Sequence, residues 1–149
     1  GTLDSVASLL SAEDGAVNLR YLNLGGMSIS TKVQKKLCEA IMVHPALKSV
    51  HLADVGLGAS TSTRECVGCL LASRSIEILD LGWNCFSAEV FHDLGQRIVE
   101  TRRLQSLSIA NCSEAHNKAG DVPILYFLEF LGSDSTLTHL DVSLNRLNF

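Results

Sequence analysis

The chain has 149 residues, 46% of them hydrophobic, and a formal net charge of -4, which is the size and apolar content of a single domain. With 12 Lys and Arg scattered against 16 Asp and Glu, it carries no electrostatic footprint for a nucleic-acid backbone or an anionic membrane. The longest apolar run, Val122 to Leu131, is broken by Pro123, Tyr126 and Glu129 and falls short of the ~20 residues that span a bilayer.

No basic head, apolar stretch and small-residue cleavage site mark the N-terminus as a signal peptide. The five cysteines are an odd number in apolar segments, which reads as reduced thiols rather than a disulfide framework. A cytoplasmic protein is expected, with a nuclear or cytoskeletal placement left open.

Residues 1–18 come first. Leu3, Val6, Leu9 and Leu10 recur at helical spacing, as in a cap or the helix of a preceding repeat. Five self-similar segments then follow, starting near residues 19, 47, 76, 104 and 137. They are Leu19–Leu24, Leu47–Leu52, Ile76–Leu81, Leu104–Ile109 and Leu137–Val142, each apolar at its first, fourth and sixth positions. The fourth positions, Leu22, Val50, Leu79, Leu107 and Leu140, are 28, 29, 28 and 33 residues apart. The longest spacing contains an insertion, Ser113 to Gly120.

Between the segments the apolar period changes from two to about three and a half, the change expected when a strand gives way to a helix. Val33, Leu37 and Ile41 mark one helix face; Cys66, Val67 and Leu70 mark the next; Val90, Leu94 and Ile98 mark the third. Ser30 or Thr31, a residue between Ser60 and Thr63, and Ser87 are the N-caps expected. A fourth helix is expected over Ile124 to Leu131, with Pro123 in its first turn after Asp121. It is apolar on nearly every side.

After each segment come Met27, Val55, Asn84, Cys112 and Asn145, followed two residues on by Ile29, Leu57, Phe86, Glu114 and Leu147. The whole resembles the leucine-rich repeat L-x-x-L-x-L-x-x-N/C-x-L from Leu19 to the C-terminus. Repeats three and five fit best. Met27 and Val55 lack the side-chain amide that would bond the turn backbone, so looser turns are expected there. The repeat length with full helices is similar to the ribonuclease-inhibitor-like subtype, the class that also contains tropomodulin-like, Ran-GTPase-activating and NOD-like receptor arrays. That resemblance implies an α/β horseshoe arc of about five parallel strands on the concave side and helices on the convex side. The whole chain, 1–149, reads as one such domain. Because it starts Gly1-Thr2 and stops just past the fifth segment without a following helix, it reads as a piece of a longer protein, or as an array whose bare C-terminal edge is covered by a partner or a second copy.

Alternate strand residues face opposite ways, so positions three, five and seven should line the concave face. Position three gives Tyr21, Ser49, Ile78, Ser106 and His139; position five gives Asn23, His51, Asp80, Ser108 and Asp141; position eight, at the strand exits, gives Gly26, Asp54, Trp83, Asn111 and Leu144. Trp83 is the sharpest candidate, either a binding anchor or a ring folded over Gly82 or Gly56. The expected partner-binding set is Trp83, Asp80, His51, Tyr21, Asn23, Ser108, Asn111, His139 and Asp141, with a second, convex patch at Tyr126 and Phe130. His51, Asp80 and Ser108 have the residue types of a hydrolase triad, but Asp80 falls between the other two, and a His51–Asp80 contact on an open surface is expected instead. Cys66 and Cys69 form a C-x-x-C that aligns with core positions. With His92 and His116 standing alone, no metal site is expected, and no cofactor.

These features point to a non-enzymatic protein-interaction module. The alternative is regulation of an enzyme partner such as a small GTPase, by analogy to the subtype alone. Neither a positioned arginine nor an acidic tract for Ran-GTPase activation is recognisable.

Overall fold

The computed structural model describes residues 1–12, 15–58, 61–113, 122–132 and 135–147. Five short strands, β1 (Tyr21–Asn23), β2 (Ser49–His51), β3 (Ile78–Asp80), β4 (Ser106–Ser108) and β5 (His139–Asp141), alternate with helices α1 (Thr2–Ser11), α2 (Thr31–Val43), α3 (Ser62–Ala72), α4 (Ala88–Glu100) and α5 (Leu125–Leu128). The strands form one parallel sheet in the order β1-β2-β3-β4-β5, with no crossover. Register follows the repeat: Leu22, Val50, Leu79, Leu107 and Leu140 are in line, and so are Asn23, His51, Asp80, Ser108 and Asp141.

The core lies between sheet and helices and is continuous along the array. Leu47, Val50, Leu52, Ile76, Leu79, Leu81, Leu104, Leu107 and Ile109 from the strand segments are buried against Leu37, Ile41, Val67, Leu70, Phe91, Leu94 and Ile98 from the helices. The two ends are less covered. Leu19 at the first segment and Leu137, Leu140 and Val142 at the last are only partly buried, because each has a repeat on one side alone.

The helices correct several sequence expectations. In α1 the inward face is Leu3, Val6, Ala7 and Leu10, while Leu9 points to solvent; three residues separate Leu3 from Val6, Val6 from Leu9 and Ala7 from Leu10, so spacing alone did not choose between the two adjoining stripes. Ser87 accepts a hydrogen bond from the Val90 N–H as expected, whereas Ser30, the N-cap of α2, makes no side-chain cap bond. Thr63, inside α3, instead accepts from the Gly58 N–H at 2.7 Å. The expected fourth helix is one turn, α5, followed by a 3-10 turn over Glu129–Gly132. Asp121 and Glu114 lie outside the described residues. Lys35 and Lys36 pair with Glu65 of α3 and Asp4 of α1, and Arg64 pairs with Asp93 of α4. Successive helices from α1 through α4 are thus tied by exposed ion pairs, which solvent screens heavily. None of the described helices is long and apolar enough to cross a membrane.

Candidate functional site

Beyond each strand the backbone bonding continues in a fixed pattern that shapes the exit turn. The N–H groups of Gly26, Asp54, Trp83 and Asn111 donate to Ala53, Gly82, Ala110 and Ser143 of the next repeat at 2.8–2.9 Å. All four residues, with Leu144, have positive φ: 77° at Gly26, 54° at Asp54, 59° at Trp83, 50° at Asn111 and 59° at Leu144. Glycine, Asp and Asn tolerate that left-handed conformation; for a Trp or Leu it costs roughly 1–2 kcal/mol. The turn therefore forces position-eight side chains outward. Trp83 and Leu144 are 58% and 65% exposed, so the Trp83 ring is not folded onto the neighbouring turn.

The amide that the sequence pattern places in these turns reaches backward along the array. Asn84 Nδ2 donates to its own turn at Leu81 O (2.8 Å) and to the preceding repeat at Leu52 O (2.9 Å), while its Oδ1 accepts from the Val55 and Leu57 N–H groups at 3.2 and 3.0 Å. Asn145 does the same for repeat four, bonding Ile109 O and accepting from Cys112 and Ser113. Val55 is consequently not in a looser turn. Its N–H is held by Asn84, and its carbonyl accepts from Gln34, a buried helix residue that also bonds Ile29 O. Cys112 stands where Asn84 and Asn145 do, and its thiol donates to Leu81 O at 3.1 Å. Burial pushes that thiol up to about 12, so it stays protonated.

The concave positions present a mixed surface. Tyr21 and Ile78 are 56% and 42% exposed at position three. At position five, Asn23, Asp80 and Asp141 each turn one oxygen back to the N–H two residues on, at Gly25, Gly82 and Ser143. The Ser143 hydroxyl and N–H hold the Asp141 carboxyl below its usual range. His139 contacts the Thr138 hydroxyl, Ser108 is half-buried on β4, and Asn111 is half-buried at its exit turn. The expected His51–Asp80 contact is an ion-pair approach at 3.6 Å, and the Tyr21 and His51 rings lie 5.1 Å apart.

His51 also meets Ser49, Oγ to Nε2 at 2.9 Å, so the serine that lies in triad order with His51 and Asp80 is Ser49, not Ser108. Acyl transfer needs, besides the triad, donors for a developing oxyanion. The Ser49 N–H is committed to Arg20 O, and the group sits on the open face of a sheet. What it offers is a polar, hydrogen-bonding patch beside Tyr21.

On the convex side, Tyr126 is exposed together with Leu125, but Phe130 packs on α4, where its ring stands 5.3 Å from His92 and occupies the space a side chain at Gly95 would need. Phe130 is therefore filling, not surplus surface. Cys38, Cys66 and Cys112 are buried, Cys69 is half-buried and Cys85 is exposed; all are free thiols. Cys38 of α2 and Cys66 of α3 share a hydrogen bond that lowers Cys66 and, with burial, raises Cys38. His116 lies outside the described residues.

The family model for the leucine-rich repeat matches residues 72–89 and 133–148, the two stretches that carry Asn84 and Asn145. Two of the chain's five repeats thus match the leucine-rich repeat, and the fold is of that type along the described array. Among solved structures, this leucine-rich-repeat chain is similar to the tropomodulin C-terminal domain of Caenorhabditis elegans, with a TM-score of 0.77 at 17% identity over 99% of this chain and 86% of that one. It is also similar to actin-binding site 2 of leiomodin-1, with a TM-score of 0.74 at 14% identity over 95% and 79% of the two chains. At those identities the likeness is one of fold. No curated protein sequence matches this leucine-rich-repeat chain.

Proposed function

We propose that this leucine-rich-repeat arc is a non-enzymatic module that binds a protein partner through its concave face and strand-exit turns, with Trp83 as the anchor. The observation that carries the reading is the Trp83 side chain, 58% exposed and held in a left-handed turn where glycine would be the least costly residue. Exposed Tyr21 and Ile78 on the same sheet add apolar area, and His51, Asp80, Asn23, Ser108, Asn111, His139 and Asp141 supply the surrounding polar groups. Because the turns are fixed by backbone hydrogen bonds, the surface is preformed, which keeps the ordering cost of binding low. The likeness to an actin-binding site of leiomodin-1 makes actin a defined first probe for partner binding.

The test uses Trp83→Ala and Trp83→Gly. Both should weaken binding to purified actin, or to another partner once recovered, by roughly thirtyfold or more, as expected for an aromatic hot spot. Trp83→Gly should meanwhile raise the thermal midpoint relative to Trp83→Ala, since glycine relieves the left-handed backbone. Unchanged affinity in folded variants would remove Trp83 as the anchor.

A further inference from the structure

The cations that look scattered in sequence converge at one place in the fold. Arg74, Arg97, Arg102 and Arg103, four of the twelve Lys and Arg residues, line a surface pocket of about 330 Å³ where α3 and α4 end and the chain turns toward β3 and β4. All four are exposed. Arg97 is placed there by α3: its guanidinium lies over Gly68, where a Cβ would come within 3.2 Å of the Arg97 Cζ. Among the described residues lining the pocket the only acid is Glu100, and Leu71 forms part of an apolar wall.

A helix C-terminus favours cations, which gives part of the cluster a structural reason: Arg97 is in the last turn of α4. The two helix ends bring roughly half a negative charge each. Against these and Glu100, Arg74, Arg97 and Arg103 alone still leave an excess of roughly one positive charge in a chain that is net acidic. Guanidinium forks suit carboxylate and phosphate alike. Geometry separates the two. The arginines are spread over two successive loops and the end of α4 and are exposed, an open arrangement unlike the nest of backbone N–H groups that encloses a compact phosphate. Helix C-termini repel such an anion but suit a peptide backbone, which has N–H groups to donate.

We propose that this pocket binds an acidic peptide segment of a protein partner, one carrying two or more neighbouring carboxylates. It lies at the opposite end of the strands from Trp83 and works independently of the exit turns.

Fluorescence anisotropy of a labelled hexaglutamate peptide on the intact chain tests it. Saturable binding at low salt should weaken at least tenfold in Arg97→Glu and in Arg103→Glu, and in wild type when ionic strength rises from about 0.01 M to 0.15 M, which shortens the screening length from ~30 Å to ~8 Å. Lys32→Glu, a charge change on α2 away from the pocket, should leave it within twofold. Equal losses in Lys32→Glu and Arg97→Glu would reduce the effect to net charge and overturn the site. So would an absence of saturable peptide binding, or binding of inorganic phosphate or phosphoinositide-containing vesicles in place of the peptide.

Discussion

Replacing Asn84 by alanine should cost more than its single side chain indicates, because the amide completes two turns at once. The substitution takes the acceptor from the buried Val55 and Leu57 N–H groups and one donor each from Leu52 O and Leu81 O. Leu81 O keeps the Cys112 thiol, so three backbone groups bear most of the loss. At about 1–3 kcal/mol for each buried group left unpaired, and with water entering the space vacated, the expected loss is about 3–5 kcal/mol. That is a large part of the 5–15 kcal/mol typical of a domain. Asn84→Cys should fall between wild type and alanine, since a thiol can donate to the turn carbonyl as Cys112 does but does not accept from the preceding repeat. Urea unfolding followed by far-ultraviolet circular dichroism measures the energies, and hydrogen exchange locates them. Protection should be lost at the Val55 and Leu57 amides, in the repeat before the substitution. A loss under about 1 kcal/mol, or exchange confined to repeat three, would refute the backward-reaching account.

Acid stability should carry a signature of the Arg64–Asp93 pair. Arg64 holds the Asp93 carboxyl below its unfolded value of 3.8, so the pair contributes stability above that pH and loses it as the pH falls through the lower folded value. Arg64→Gln should be less stable than wild type at pH 7, and the gap should narrow as the pH falls through that lower value; a gap that acid leaves unchanged contradicts the assignment. Self-association is expected through the outer edge of β5, which pairs with no further strand among the described residues; there Leu140 and, just after the strand, Val142 are only partly buried where Leu79 and Leu81 are fully so. Sedimentation equilibrium should show concentration-dependent dimers that Leu140→Lys abolishes, and a monomer at every concentration tells against that edge contact.

What the sequence disclosed was set by what its periodicity encodes. The apolar spacing of Leu47, Val50 and Leu52 and its four copies reports burial, so strand order, register and the outward columns could all be read from it. Hydrogen-bond partners leave no such period. Nothing in the spacing of Gln34 shows that a helix side chain would bond the carbonyl of Val55, and Asn84 was legible as a turn residue without its reach to Leu52. The left-handed exit turn had a signal in Gly26, Asp54 and Asn111, three residue types that tolerate it, but Trp83 and Leu144 obscured the pattern. The gathering of Arg74, Arg97, Arg102 and Arg103 was hidden because stacking brings together loops some 28 residues apart in the chain. The packing of Phe130, named in sequence with the convex patch, was not legible because the space it occupies is left by a glycine on another helix.

The direction in which the amides reach has a consequence for synthesis. A nascent chain emerges N-terminus first, and most of its local structure can form as it appears. The turn at Val55 and Leu57 is different, because its acceptor is Asn84, and that at Cys112 waits on Asn145 in the same way. Repeats two and four thus leave the ribosome with their exit turns open, and each is closed only by its successor. Those two turns are clasps fastened from the far side, and a chain stalled before Asn84 or before Asn145 ends in one that is undone.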